Sequence, residues 1–260
     1  MKGRMLNLKD FQPFSYSNLV RRGSINDGGY LLPSDISAQY LISLGLGDDW
    51  KFELDLIKHK QVNEFIVFDH SVTLLNLLGK LKYRKRKLRA FIYRAIVLIR
   101  YFRDCTLLKR KHVKKKITKY GSGENSRAIN LNEIFKEFIV DPKSTIILKI
   151  DIEGSEFEII EQVIEHSSQT LVLIIEFHEI LKQKKRFKTS LDLIKSEFSL
   201  IHTHVNNYGE IDDLSIPNTC EFTFINQKMF KEQGKVSRLP RMGLDSPNSP
   251  GRPDYEIIFA

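Results

Sequence analysis

Cysteine is nearly absent: the 260 residues hold two, Cys105 and Cys220. They stand far apart and fit no metal spacing, which predicts a reducing, cytoplasmic compartment. The opening residues, MKGRMLNLKDF, contain no apolar core, so no secretory signal is predicted. No run reaches the roughly 18 apolar residues of a membrane span. Acid is missing from one place. From Lys80 to Lys119, 17 Lys and Arg stand against a single acid, Asp104. That segment carries +16 and the whole chain +9, so the other 220 residues carry −7. A mildly acidic body with one basic insert predicts a local anionic partner rather than a generally adhesive protein.

What is present suits one α/β domain with insertions, or two small domains. Hydrophobic residues make up 42% of the chain, enough for a real core. Short apolar runs read as strands at 40–46, 63–70, 115–123, 144–152, 170–178, 199–205 and 219–226. Helical spacing falls between them at 48–60, 131–139, 155–167 and 189–198. Alternation of this kind, with strands apolar throughout, predicts a parallel sheet covered on both faces. Ligands of such sheets bind at the carboxyl ends of the strands. Polar clusters sit there: Gly45-Leu46-Gly47-Asp48-Asp49, Asp69-His70, Gly121-Ser122-Gly123, Asp151-Ile152-Glu153-Gly154, Glu176-Phe177-His178 and His202-Thr203-His204.

Glycines after the first strand let the backbone approach a ligand. Asp69 follows Gly47 by 22 residues and ends the second strand, where an acid can accept ribose hydroxyls. The competing reading makes Asp69 a helix cap in an ordinary loop. A dinucleotide fingerprint would add a third glycine and place pyrophosphate at a helix N-terminus. That glycine is missing, and Asp48 and Asp49 would repel pyrophosphate. A cationic nucleoside without phosphate fits better, and S-adenosylmethionine is one.

The string LKIDIEGSEFEII at 148–160 resembles the K-x-D-x-E-G-x-E signature of FkbM-type methyltransferases, within the class I fold. RRGSINDGGYLLP (21–33), SLGLGDDWKFE (43–53), VFDHS (67–71), IIEFH (174–178), HTHVNNYG (202–209) and LDSPNSPGRPDYE (244–256) are similar to one subgroup of these domains. The resemblance covers most of the chain outside the basic insert. It implies a Rossmann-like, seven-stranded, mostly parallel sheet with helices on both faces and an antiparallel last strand. It implies methyl transfer to oxygen, often a sugar hydroxyl. It carries Gly45, Gly47 and Asp69 over as cofactor contacts, with Asp48 and His70 beside them, and puts Asp151 beside the transferring methyl. The acid usual on the first strand of class I enzymes is replaced by Ser43, so the methionine end of the cofactor is held differently.

A sugar hydroxyl is a poor nucleophile and needs a base or a metal ion to shed its proton. Asp151, His178 and His204 are the candidate catalytic groups, with Glu153, Glu176 and His202 nearby. An Asp/Glu/His cluster also suits a divalent cation, whose ligands the sequence leaves unknown. The alternative is that these histidines pair with acids or backbone at the sheet edge. Glu156 and Glu158 read as an acidic first helical turn. Asn26 to Tyr30 is a turn by composition, either a plain hairpin or a lid that brings Gly29 and Tyr30 to the cofactor. The expected organisation is a cap at 1–39, a methyltransferase domain at 40–230 with a helical insert at 80–116, and a Pro-rich tail at 231–260 packed on the domain. The insert suits an inner membrane surface, a lipid-linked glycan, or simply a solvated cationic face. Its charge also suits nucleic acid, though no recognised nucleic-acid motif accompanies it, and a nucleic-acid methyltransferase using the insert is the rival reading. A non-catalytic glycan- or membrane-binding protein is the other.

Overall fold

The computed structural model describes residues 7–47, 49–72, 92, 95–97, 99, 100, 103, 112–121, 127–139, 141–231 and 233–259. In chain order the strands are β1 (Leu19–Gly23), β2 (Gly29–Pro33), β3 (Ala38–Leu44), β4 (Val62–Phe68), β5 (His112–Val113), β6 (Lys116–Ile117) and β7 (Ala128–Ile129). Then come β8 (Ile146–Ile150), β9 (Thr170–Phe177), β10 (Phe198–Val205), β11 (Cys220–Asn226), β12 (Arg238–Leu239) and β13 (Ile257–Ile258). The helices are α1 (Lys51–Lys58), α2 (Leu131–Phe138), α3 (Ile160–Glu165) and α4 (Lys184–Glu197).

Seven strands form the central sheet in the order β10-β11-β9-β8-β3-β4-β5. β3, β4, β5, β8 and β9 run parallel, and β11 runs antiparallel to both its neighbours. This is the mostly parallel sheet with an antiparallel last strand that the resemblance implies. The chain reverses direction across the sheet at β3 and β8, and a crevice lies over their carboxyl ends. One expectation changes. The strand read at 115–123 is short and pairs only with β7, outside the central sheet.

Alternation along the strands divides the core. Ile42, Leu44, Leu148, Ile150, Leu173 and Ile175 face α2, α3 and α4. Leu41, Val67, Ile147, Val172 and Ile174 face α1 and the β1–β2 hairpin. α2 forms where Leu131, Ile134 and Phe135 repeat at helical spacing. A capping box starts it: the Asn130 side chain accepts from the Glu133 amide at 2.8 Å, and Glu133 accepts from the Asn130 amide at 2.9 Å. α4 begins earlier than its apolar pattern, because Lys184 to Lys188 extend it toward the sheet edge.

The segment from Asn26 to Tyr30 closes the β1–β2 hairpin, and Thr223 fastens that hairpin to the sheet by donating to the Leu31 carbonyl at 2.6 Å. The tail crosses the same end of the sheet. Asn207 Nδ2 donates to the carbonyls of Ser249, Arg252 and Pro253, and His202 pairs with Asp245 at 3.0 Å. Most of the basic insert lies outside the described residues. Of the part described, Val97 is buried against the α1 face, and Arg100 lies over the Trp50 ring at 5.4 Å. No described helix is long and apolar enough to cross a membrane.

Candidate active site

The crevice holds a cavity of about 460 Å³ between the hairpin turn, the loop after β3 and the end of β8. Asp27, Asp49, Glu53, Asp151 and Glu153 line it, and among the described residues Lys149 is the single cation that lines it. A small cationic ligand suits such a wall better than an anionic one.

The loop after β3 is built for close approach. Gly45 has φ 90°, and a Cβ there would fall 1.8 Å from the Asp151 carbonyl oxygen. Only glycine lets the ends of β3 and β8 meet. Gly47, at φ 62°, has open space where its side chain would be. Asp69 organises this loop. Its Oδ2 accepts from the amides of Leu46 at 2.9 Å and Gly47 at 3.2 Å. Its Oδ1 accepts from the Ser71 amide and hydroxyl at 2.6 and 2.7 Å. Burial alone would raise its pKa, but these bonds outweigh burial and lower it. Both oxygens are therefore engaged by the chain itself. Neighbouring His70 is exposed, Asp48 lies outside the described residues, and Gly29 packs against the Ser24 carbonyl with no room for a Cβ.

Glu53 escaped the sequence reading. It lies on α1 and its residue is 1% exposed. Ser43 donates to its Oε1 at 2.7 Å, while Oε2 is buried with no hydrogen-bond partner. Burial raises its pKa, partly offset by Lys149 and Ser43. A buried carboxylate thus stands beside Ser43, carried by the following helix. An orphaned buried oxygen on the wall of a cavity is a ready acceptor for a cationic N–H donor.

Lys149 is the one charged residue within β8. Its Nζ donates to the Gly45 carbonyl at 2.9 Å, stands 3.7 Å from Asp151 Oδ2 and lies over the Tyr30 ring at 5.3 Å. Burial would depress its pKa, but Asp151, Glu53 and Glu176 raise it, so the ammonium persists. The Tyr30 hydroxyl donates to Asp151 Oδ2 at 2.9 Å. Burial, then the charge of Asp151, pushes the phenol pKa well above its ordinary value and keeps it a neutral donor.

Beyond Asp151 lies a second cluster. His178 follows the end of β9 with Nδ1 2.9 Å from Glu156 Oε1. Its Nε2 faces Glu153 at 3.7 Å, Glu176 at 3.8 Å and Asp151 at 4.0 Å. Burial would lower the imidazole pKa, but the Glu156 hydrogen bond and the charges of Glu176 and Asp151 push it up to about 10. Glu176 accepts from Asn206 Nδ2 at 2.8 Å, and burial together with Asp151 drives its pKa well up. Glu156 opens an acidic turn as expected, but it does more than favour a helix end. It is fully buried, and it accepts from the Ile152 and Gly154 amides as well as facing His178. The helix also starts later than 155, with a 3-10 turn at Glu156–Glu158 before α3.

The structure brings Tyr30, Gly45, Gly47, Asp69, Asp151 and His178 to one end of the sheet. His204 sits apart from the cavity. It is buried on β10, with Nδ1 3.4 Å from Glu221 and Nε2 3.0 Å from Asp254 of the tail. One nitrogen is therefore committed to β11 and the other to the tail.

A sequence model of the methyltransferase FkbM domain matches residues 93–232, more than half of the chain. The chain belongs to the FkbM methyltransferase family. The match includes Asp151, Glu153 and Gly154 and the strands from β5 to β11. This FkbM protein is an S-adenosylmethionine-dependent methyltransferase. The residues fit that cofactor: the cavity is acidic, its glycine loop leaves open space, and the unpartnered Glu53 oxygen awaits a cationic donor. No curated protein matches it. Among solved structures, Sp1610 of Streptococcus pneumoniae with S-adenosyl-L-methionine has a TM-score of 0.36 at 11% identity, over 78% of this chain and 71% of that one. A dimethyladenosine transferase from Plasmodium falciparum gives 0.37 at 9%, over 75% and 58%. Spermidine synthase from Thermotoga maritima gives 0.37 at 11%, over 87% and 83%. Similarity at this level leaves the acceptor to be read from the chain's own residues.

Proposed function

We propose that this FkbM methyltransferase methylates a hydroxyl of a sugar, in a cell-surface glycan or a related metabolite. The observation that carries this reading is the ring of Asp151, Glu153 and Glu176 around His178 Nε2, beside the cofactor cavity. Sugar hydroxyls donate well to carboxylates, whereas a phosphodiester backbone is repelled by them.

S-adenosylmethionine supplies a methyl on a sulfonium, and the bonding pair stays with sulfur when the methyl leaves. In this reading Glu53 Oε2 receives the cofactor's ammonium, and the loop from Gly45 to Gly47 lies along its body. Asp69 acts through that loop as a positioning residue. Asp151, fixed by Tyr30 and Lys149, accepts the proton of the acceptor hydroxyl as the oxygen takes the methyl. Alignment of the reactants supplies the rest of the rate. His178 shapes the acceptor subsite, and His204 holds the tail against the sheet. Residues 1–39 act as a cap, 40–230 as the catalytic domain and 231–260 as a packed tail. The basic insert at 80–116 takes the anionic carrier of the glycan. Arg100 supports this, since it reaches Asp49 on the cavity wall at 3.5 Å.

The test is transfer of labelled methyl from S-adenosylmethionine to a panel of free sugars, lipid-linked glycans and RNA. Label on a sugar oxygen is the expected result. Label on RNA alone would overturn the acceptor reading, and absence of cofactor binding in calorimetry at ~100 µM would overturn the cofactor assignment.

A further inference from the structure

His178 presents an unusual tautomer problem. Glu156 is held as an acceptor by the Ile152 and Gly154 amides, at 3.0–3.1 Å, and its Oε1 lies 2.9 Å from His178 Nδ1. The Nδ1 position therefore carries the ring proton. The ring's Nε2 is aimed at three carboxylates, at 3.7, 3.8 and 4.0 Å. None is close enough for a hydrogen bond. Three carboxylates around one ring nitrogen call for positive charge between them, which either a proton on Nε2 or a bound cation supplies. A buried carboxylate that fixes the far nitrogen of an imidazole is the usual outer support of a metal-bound histidine.

The donor atoms of Asp151, Glu153 and His178 all lie within 4.8 Å of one another. Ligands bound at about 2.1 Å on opposite or adjacent positions of one ion are separated by about 3 to 4.2 Å, so a small closure suffices. Glu153 is aimed inward although it is largely exposed, because its backbone turns left-handed at φ 56° before Gly154 at φ 103°. Lys60, Glu179 and Ser215 adopt the same conformation at other turns, and at Glu153 it brings the carboxylate to 3.7 Å from His178.

We propose that Asp151, Glu153 and His178 bind a divalent cation that orients the acceptor hydroxyls. Two carboxylates and one imidazole suit Mn²⁺ better than Ca²⁺ or Mg²⁺. Three ligands from one side leave coordination positions on the other, toward the cavity that Asp151 and Glu153 also line. A hydroxyl bound there loses its proton more readily. Ion binding stands independently of the function proposed above, while the catalytic use of the ion rests on it.

The experiment uses the full chain, stripped with EDTA and titrated with Mn²⁺, with free Mn²⁺ read by electron paramagnetic resonance. One ion per chain is expected, with affinity falling at least tenfold in Glu153→Gln and in His178→Gln. Glu161→Gln, an exposed change beside Lys119, should bind as the parent does. Because Glu153 is exposed, its variant tests the site without threatening the fold. Calorimetry with S-adenosylmethionine on the same samples separates the two ideas. Cofactor binding with no saturable Mn²⁺ site, or with equal Mn²⁺ affinity in all variants, overturns the metal site and leaves the methyltransferase intact.

Discussion

Ser43 on β3 donates to Glu53 of α1 at 2.7 Å, which sets a buried carboxylate from the helix against the end of that strand. Glu53→Gln should weaken S-adenosylmethionine binding by about 10- to 100-fold in calorimetry, the loss expected for one charged hydrogen bond. The same change should raise the melting temperature of the ligand-free protein near pH 8. The raised pKa of Glu53 means that ionisation costs more in the folded chain, so stability is fullest at low pH and falls as the group ionises. The amide removes that cost. A variant that binds the cofactor normally would refute the assignment.

Tyr30→Phe deletes the hydroxyl that donates to Asp151 at 2.9 Å and leaves the ring packed edge-on against Phe52. Turnover should drop about tenfold or more, with cofactor affinity changed by less than about threefold. Steady-state rates and calorimetry on one preparation decide it. Equal losses in both would mean that Tyr30 serves the cofactor rather than Asp151.

Asp69→Ala distinguishes a ligand contact from a loop brace. A side chain that met only ribose would leave stability unchanged when removed. Here five groups at 2.6 to 3.3 Å lose their acceptor. Unfolding in denaturant should show a loss of about 2–4 kcal/mol, together with weaker cofactor binding.

His204 gives the stability curve an alkaline edge. It faces Glu221 of β11 and Asp254 of the tail, with Asp245 further off. Burial would lower its pKa, but these acids push it up to about 10. Its contribution is therefore complete below the unfolded value near 6.5 and declines progressively as pH rises to about 10. Melting temperature should fall across that range and fall less in His204→Gln. Limited proteolysis should cut residues 244–256 faster at the alkaline end in the parent chain. A parent curve flat from pH 7 to 10 would contradict this.

The sheet was legible because a buried parallel strand writes its burial into consecutive apolar residues, as Leu171 to Ile175 do. The ends of those strands located Gly45, Asp69, Asp151 and His178. What stayed hidden was pairing at a distance. Glu53 and Glu156 look like solvated helical acids in sequence. Only the packed structure sets one against Ser43, ten residues away, and the other against His178, 22 residues away. His204 misled for the opposite reason. Its position at a strand end resembles that of His178, but Asp254 covers it, 50 residues later in the chain. Most of the basic insert, the strongest compositional signal, lies outside the described residues.

Asn248 donates both to Asp27, in the hairpin turn that lines the cavity, and to Glu221 on β11. Asn26 likewise donates to the Pro247 carbonyl, across 221 residues of chain. One wall of the cofactor cavity is therefore tied to residues translated long after it. A nascent chain emerging from the ribosome can assemble β3, β4, β8 and β9, yet this rim stays unfinished until residue 248 has left the exit tunnel.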